Sequence, residues 1–297
     1  MGAAGPLLAY TGLVFVLAGT LSYPLYLLLQ FWDLTPVSFP KVVQTALKLS
    51  ALVALWPLMK WCGLASRANW GYGMSGRRLV TGSAAGLLGG VGSLGALVAI
   101  LCLLQVRVPS PAFEITVWAF LGAVAKAAVA ALIIGFVEET WFRGALHSVV
   151  AQATTGPRAV WVTAILFGIV HFIRADPASL PADPSWSAGF SAIAHSFHRF
   201  ADSGFIDSFL ALTVAGLLLG LLRHRNGHIG HCIGVHAGWV IVGKVTRGLS
   251  EANPDSPYTL LVGSYDGVIG YLACLWLGLL GLVYYRLGHR RAARGTA

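Results

Sequence analysis

The stretch Ala128-Val129-Ala130-Ala131-Leu132-Ile133-Ile134-Gly135-Phe136-Val137-Glu138-Glu139-Thr140-Trp141-Phe142-Arg143 carries an unbroken apolar segment straight into two adjacent carboxylates. In hydrocarbon every backbone N–H and C=O must be satisfied internally, so an apolar run of this kind reads as a membrane helix. Ionisable groups at its end are costly to bury, which makes them a functional site by default. Two histidines stand in similar surroundings, His171 in Phe167-Gly168-Ile169-Val170-His171 and His236 in Gly234-Val235-His236-Ala237-Gly238. Carboxylates and imidazoles gathered in so hydrophobic a chain suggest hydrolytic chemistry inside a bilayer.

The rest of the chain extends the pattern. Of its 297 residues 57% are hydrophobic and 10% charged, with a mean hydropathy of +0.74, whereas soluble domains carry about 25% charged residues. The expected fold is all-α, a polytopic membrane helical bundle of about eight transmembrane helices with a conical or cavity-containing core. The apolar runs lie near 7–31, 42–62, 79–106, 114–152, 157–173, 205–222, 229–247 and 266–286. The first reads as a retained helix, because it lacks the basic n-region of a signal peptide. The fourth is too long for a perpendicular span. It is strongly tilted, broken near Gly135, or a span with a partly buried extension.

The formal charge of +9 is dispersed between these runs, with a short cluster at Arg286, Arg290, Arg291 and Arg294. A nucleic-acid binder concentrates its basic residues on one face, so the scatter argues against nucleic acid and for topology and anionic-lipid contact. With alternate loops on alternate sides, twelve Lys and Arg fall on the side of both termini and six on the other. That bias favours cytoplasmic termini. Cys62, Cys102, Cys232 and Cys274 form no CxxC pair and read as packing residues. Gly82, Gly86 and Gly90 in the third run, and Gly216 and Gly220 in the sixth, offer faces for close helix approach. The loop 175–204 contains a segment, Ser191 to Phe200, read as a short helix in the membrane interface or a gate, with Trp186, Phe190, Phe197 and Phe200 at headgroup level.

Around the carboxylates, spacing separates two roles. Glu139 and Arg143 are four apart, on one helix face and in the favoured acid-before-base order, so they read as an internal ion pair. Glu138 is turned about 100° away and has no obvious local partner. A carboxylate in an apolar site holds its proton more tightly, which suits a general base or acid. The turn Thr154-Thr155-Gly156-Pro157 lies sixteen residues after Glu138 and fourteen before His171. Antiparallel helices from that turn would bring Glu138 level with His171, provided 138–154 is helical. Phe167 shares a face with His171. His231 and His236, five apart, do not share one well, and the small neighbours of His236 leave room for a substrate backbone or another helix. Glu138, His171 and His236 could also form a two-His, one-carboxylate metal set, although there is no HExxH. No GxSxG marks a serine nucleophile.

Taken together, Glu138-Glu139…Arg143, Phe167…His171 and His236…Val240 resemble the EExxxR, FxxxH and HxxxN motifs of the CPBP family of CAAX-protease and bacteriocin-processing (Abi) proteins, which includes the type II CAAX prenyl endopeptidases. The resemblance covers about 130–245. It implies an intramembrane endopeptidase that cleaves a membrane-associated protein or lipidated peptide with glutamate-activated water and no cofactor. In that reading Glu138 is the general base, His171 binds and activates the water, and His236 stabilises the oxyanion. Glu139, Arg143 and Phe167 are supporting residues. Val240 stands where the family often has Asn, and valine cannot donate a hydrogen bond. The alternatives are a non-catalytic scaffold or immunity-type protein that keeps the fold, a zinc-dependent intramembrane protease, and a proton-coupled transporter. The expected organisation is one integral membrane domain, 1–297, with N-terminal helices over 1–112, a catalytic core over 113–247 and a last helix with a basic tail over 248–297. The family variety points to a bacterial cytoplasmic membrane.

Overall fold

The computed structural model describes residues 4–32, 38–111, 116–174, 183–201, 203–263 and 265–295. Residues 175–182 and 202 of the long loop lie outside the described residues, as do the side chains of Arg290, Arg291 and Arg294. The fold is all-α apart from a two-stranded ribbon, and it divides into two compact units, Met1–Ala65 with Ile169–Ser203 and Ser66–Gly168 with Gly204–Ala297.

In the first unit α1 (Ala4–Phe31) packs on α2 (Phe39–Trp61). Tyr10 Oη donates to the Ala51 carbonyl at 2.9 Å, fixing their register. The α-helix expected within Ser191 to Phe200 forms one turn earlier, over Ala188–His195. It buries Ala188, Ala192 and Ile193 against Ala18, Phe39 and Val43 of the first two helices. A Cβ on Gly189 would come within 2.4 Å of the Gly19 carbonyl, so two backbones meet there. Trp186 and Phe197 remain partly exposed, edge-on to Tyr23 and Phe15.

In the second unit α3 (Gly76–Leu103) starts from Ser75, whose Oγ accepts from the Arg78 amide. A short ribbon follows, β1 (Arg107–Pro109) antiparallel to β2 (Ser250–Ala252), with Val108 opposite Glu251. The helix α4 (Val117–Glu139), capped by Thr116, continues without interruption through a π-helical segment, Thr140–Leu146, into α5 (His147–Ala153). The whole run of 37 residues is about 55 Å long at 1.5 Å per residue, far more than a ~30 Å hydrocarbon core. The extra length is the buried extension, since Phe142 to His147, Val149 and Val150 are all buried. There is no break at Gly135. After a tight turn, α6 (Gly156–Val170) leads to α7 (Ala188–His195), then α8 (Ile206–Asn226), α9 (Gly230–Leu249) and α10 (Tyr271–Gly295). Gly227 ends α8 with φ +70°, a conformation glycine adopts without a Cβ clash.

The glycine face of α3 acts on α9, and that of α8 lies against Ala164 and Val160 of α6. A Cβ would come within 2.4 Å of His231 O from Gly86, 2.3 Å of Val235 O from Gly90 and 2.0 Å of Ser83 O from Gly234. The small residues around His236 therefore admit another helix, α3, rather than standing open. Gly135 does the same for α4, 2.9 Å from Ile233 O. Leu94, Leu97, Ala211, Leu219, Cys232, Trp239 and Leu277 fill the core that closes around α9.

Six described helices are long and apolar enough to cross a membrane, namely α1, α2, α3, the run Val117–Ala153, α8 and α10 over Tyr271–Gly288. The chain is an integral membrane protein. The fifth and seventh expected spans are α6 and α9. The first of these, at 15 residues, is about 22 Å long, and the second carries His231, His236, Lys244 and Arg247. Both bury much of their surface in protein. A helix enclosed by protein can be short, and it can carry polar groups that one facing lipid cannot.

Candidate active site

Glu139 and Arg143 face each other across the junction of α4 and the π-helical segment. Arg143 Nη1 donates to Glu139 Oε1 at 2.9 Å, and neither side chain has any solvent exposure. A buried ion pair is tolerable only with good geometry and further hydrogen bonds. Arg143 has them. Its Nη2 donates to the Gly216 carbonyl of α8 at 3.1 Å, and its guanidinium lies over the Phe167 ring, 4.5 Å from the centroid. Phe142 packs edge-on against the same ring at 5.2 Å.

The π-helical segment is held from outside. Such segments widen the helix and occur mostly at functional sites. Arg223 Nε donates to the Arg143 carbonyl at 2.9 Å. Tyr72 Oη shares a short hydrogen bond with Thr140 Oγ1, and Ser148 Oγ donates to the Asn69 carbonyl. Gly144 lies against Trp70 O, where a Cβ would come to 2.6 Å. Burial pushes the Tyr72 phenol up from its ordinary range, so it stays protonated as a donor.

His236 enters from α9 and stands between the two carboxylates. Its Nδ1 lies 2.8 Å from Glu139 Oε1, and its Nε2 lies 3.8 Å from Glu138 Oε2. The Phe167 ring meets it edge-on at 5.8 Å. An ionised carboxylate only accepts, so Nδ1 carries the proton and Nε2 is turned to Glu138. The two neighbouring glutamates thus differ in surroundings. Glu139 is sealed, while Glu138 keeps 28% of its side chain exposed. A separation of 3.8 Å is too long for a direct hydrogen bond and lies within ion-pairing reach.

Of the residues singled out in the sequence, Glu138, Glu139, Arg143, Phe167 and His236 come together in the second unit. His171 directly follows α6, one turn past Phe167, and belongs to the first unit. Residues 138–153 and 156–170 are both helical. Arg223, Tyr72 and Phe142 were missed. Arg223 looks in sequence like a topology charge, and no local pattern marks it as a partner of a carbonyl eighty residues away.

Among the described residues no group of three or more His, Cys, Asp or Glu is disposed to hold a metal ion. Glu139 is committed to Arg143 and His236, and a guanidinium beside it disfavours a second cation.

Residues 118–242 match the family model of Rce1-like type II CAAX prenyl endopeptidases. That segment is similar to the CPBP family, to which these endopeptidases belong. It begins with α4 and ends in α9, so it contains Glu138, Glu139, Arg143, Phe167, Arg223 and His236. No curated protein and no solved structure matches the chain. Val240 falls within the matched segment, one turn beyond His236 and half-buried.

Proposed function

We propose that the protein is an intramembrane endopeptidase acting on a membrane-associated protein or lipidated peptide. One observation carries this reading: within a segment similar to the CPBP family, a sealed carboxylate holds His236 so that its free nitrogen faces an accessible second carboxylate, Glu138. Water bound at the open side of Glu138, beside His236, gives its proton to Glu138 as its oxygen attacks the peptide carbonyl. The proton then passes from Glu138 to the leaving amine, and the C–N bond breaks. His171, carried over from the family motif, assists in binding the water. Hydrogen-bond donors aimed at the developing oxyanion contribute about 3–4 kcal/mol each in comparable sites. Prenylated CAAX tails are one substrate option, and the cytoplasmic membrane of a bacterium with both termini inside is the proposed setting.

Val240 favours a second reading, a scaffold that keeps the fold without catalysis, because it removes the amide that family members often place there. The two separate in one experiment. Purified wild type and Glu138→Gln are given a library of membrane peptides, with and without chelator, and products are read by mass spectrometry. Cleavage by wild type alone, surviving chelation, supports the glutamate protease. Loss on chelation restored by zinc moves the motif residues into a metal site. Equal cleavage by both proteins removes Glu138 as the base.

A further inference from the structure

At the other end of α4, about 33 Å along the helix from Glu139, the ends of α3, α4 and α9 border a partly open cavity of about 520 Å³. Its wall is largely apolar, with Val117, Phe120 and Leu249, and Arg107 and Ser250 lie on it too. The volume falls in the ~300–1,000 Å³ range of small-ligand sites. Trp118, 82% exposed on the first turn of α4, suits the headgroup level of a bilayer.

Arg107 is the unusual member. It is 5% exposed, because β1 pairs with β2 and carries it inward after the left-handed turn at Gln105, φ +54°. Its Nε donates to Ser250 Oγ at 3.1 Å and its Nη2 to the Ser250 carbonyl. Its Nη1 has no hydrogen bond, and no carboxylate lies within ion-pairing distance, among the described residues. Asp266, whose field reaches Arg107, is committed to Arg247 and to the amides of Val268 and Ile269. Glu251 also acts on it, from an exposed position on β2. A buried cation without an anion is unfavourable, so such a group beside an apolar hollow calls for an anionic partner.

We infer that this cavity binds an anionic amphiphile, with Arg107 holding the phosphate or carboxylate head and Val117, Phe120 and Leu249 enclosing its chain. Basic pockets between membrane helices bind anionic lipid heads by this chemistry. The inference is independent of the protease reading, since no residue of the Glu138 cluster takes part.

Native mass spectrometry of the full chain in detergent tests it, with phosphatidylglycerol, phosphatidylcholine and palmitate as probes. Wild type is expected to retain phosphatidylglycerol at least about fivefold over phosphatidylcholine, the effect of one basic side chain near an anionic surface. Arg107→Gln should abolish the preference. Cys102→Trp, at an exposed position on the cavity wall, leaves Arg107 and its Ser250 contacts intact and should lower retention by plugging the space. Retention of palmitate in place of phosphatidylglycerol keeps the site and assigns its ligand to free fatty acid. Equal retention of charged and zwitterionic lipid, or retention unchanged in Cys102→Trp, overturns the inference.

Discussion

His236 Nδ1 lies 2.8 Å from Glu139 Oε1, and Glu139 is the member of the adjacent glutamate pair with no exposed side-chain surface. The sealed carboxylate is therefore the one that orients the imidazole, through a contact spanning 97 residues of sequence. Its neighbour Glu138 keeps 28% of its side chain exposed. Burial separates the roles of two chemically identical side chains.

Glu138→Gln should leave the fold unchanged and lower peptide cleavage by about 10²–10⁴, the usual worth of a positioned general base. The variant keeps the size of the side chain and is half-open to its surroundings, so its thermal midpoint should stay near that of wild type. A large drop in midpoint would assign Glu138 a structural role.

Glu139→Gln should act in the opposite proportion. It strips the charge from a fully buried ion pair and leaves Arg143 without its anion, which costs about 3–5 kcal/mol. The expected result is a clear loss of stability in denaturant melts, accompanied by lost cleavage as His236 loses its acceptor. Restored stability in a Glu139→Gln, Arg143→Met double variant, with cleavage still absent, would separate the two effects.

His236→Ala should reduce cleavage by about 10²–10³ as the reacting water beside Glu138 loses the imidazole, with little change in substrate binding. Val240→Asn, one turn further along α9, supplies an amide donor and should raise the cleavage rate. An unaltered rate in Val240→Asn would mean that the half-buried side chain does not reach the reacting carbonyl.

Gly234→Val should destabilise the second unit. A Cβ there would come within 2.0 Å of the Ser83 carbonyl, backbone against backbone, and overpacking of this kind costs about 1–3 kcal/mol or more. Because α9 would be pushed off α3, His236 should shift as well. The check is a lowered melting midpoint together with lost cleavage, against Gly89→Val, which meets nothing within 4 Å, as the tolerated control.

His228, between α8 and α9, has its pKa lowered from 6.5 by burial, His231, Arg223 and Arg78. The unfolded chain then binds a proton at higher pH than the folded one. The stability this gives is present above about pH 6.5 and is lost as pH falls through that value toward the folded pKa. Wild type should lose stability between pH 7 and 5 more steeply than His228→Gln. Parallel melting curves for the two proteins across that range would contradict it.

Much of the fold is legible in the sequence because its terms are local. Apolar run length gives the membrane helices, and i, i+4 spacing gives Glu139 with Arg143. Glycines at four-residue intervals give the face on which α3 meets α9. The fourth run shows where local reasoning stops. Its length left tilt, a break and an extension open, and the π-helical stretch from Thr140 is held by Tyr72, Trp70 and Arg223, none of which is near it in sequence.

The sequence by itself determined that this is a polytopic helical membrane protein with carboxylates and histidines in apolar surroundings, because hydrophobic burial and helical periodicity act over a few turns of chain. Only the tertiary structure decided that His236 stands between Glu138 and Glu139, that Phe167 packs against both Arg143 and the imidazole, and that Arg107 is buried beside an apolar cavity. Those contacts join segments far apart in the chain. Which of two neighbouring carboxylates is sealed depends on what packs against each, and that is settled when the helices meet.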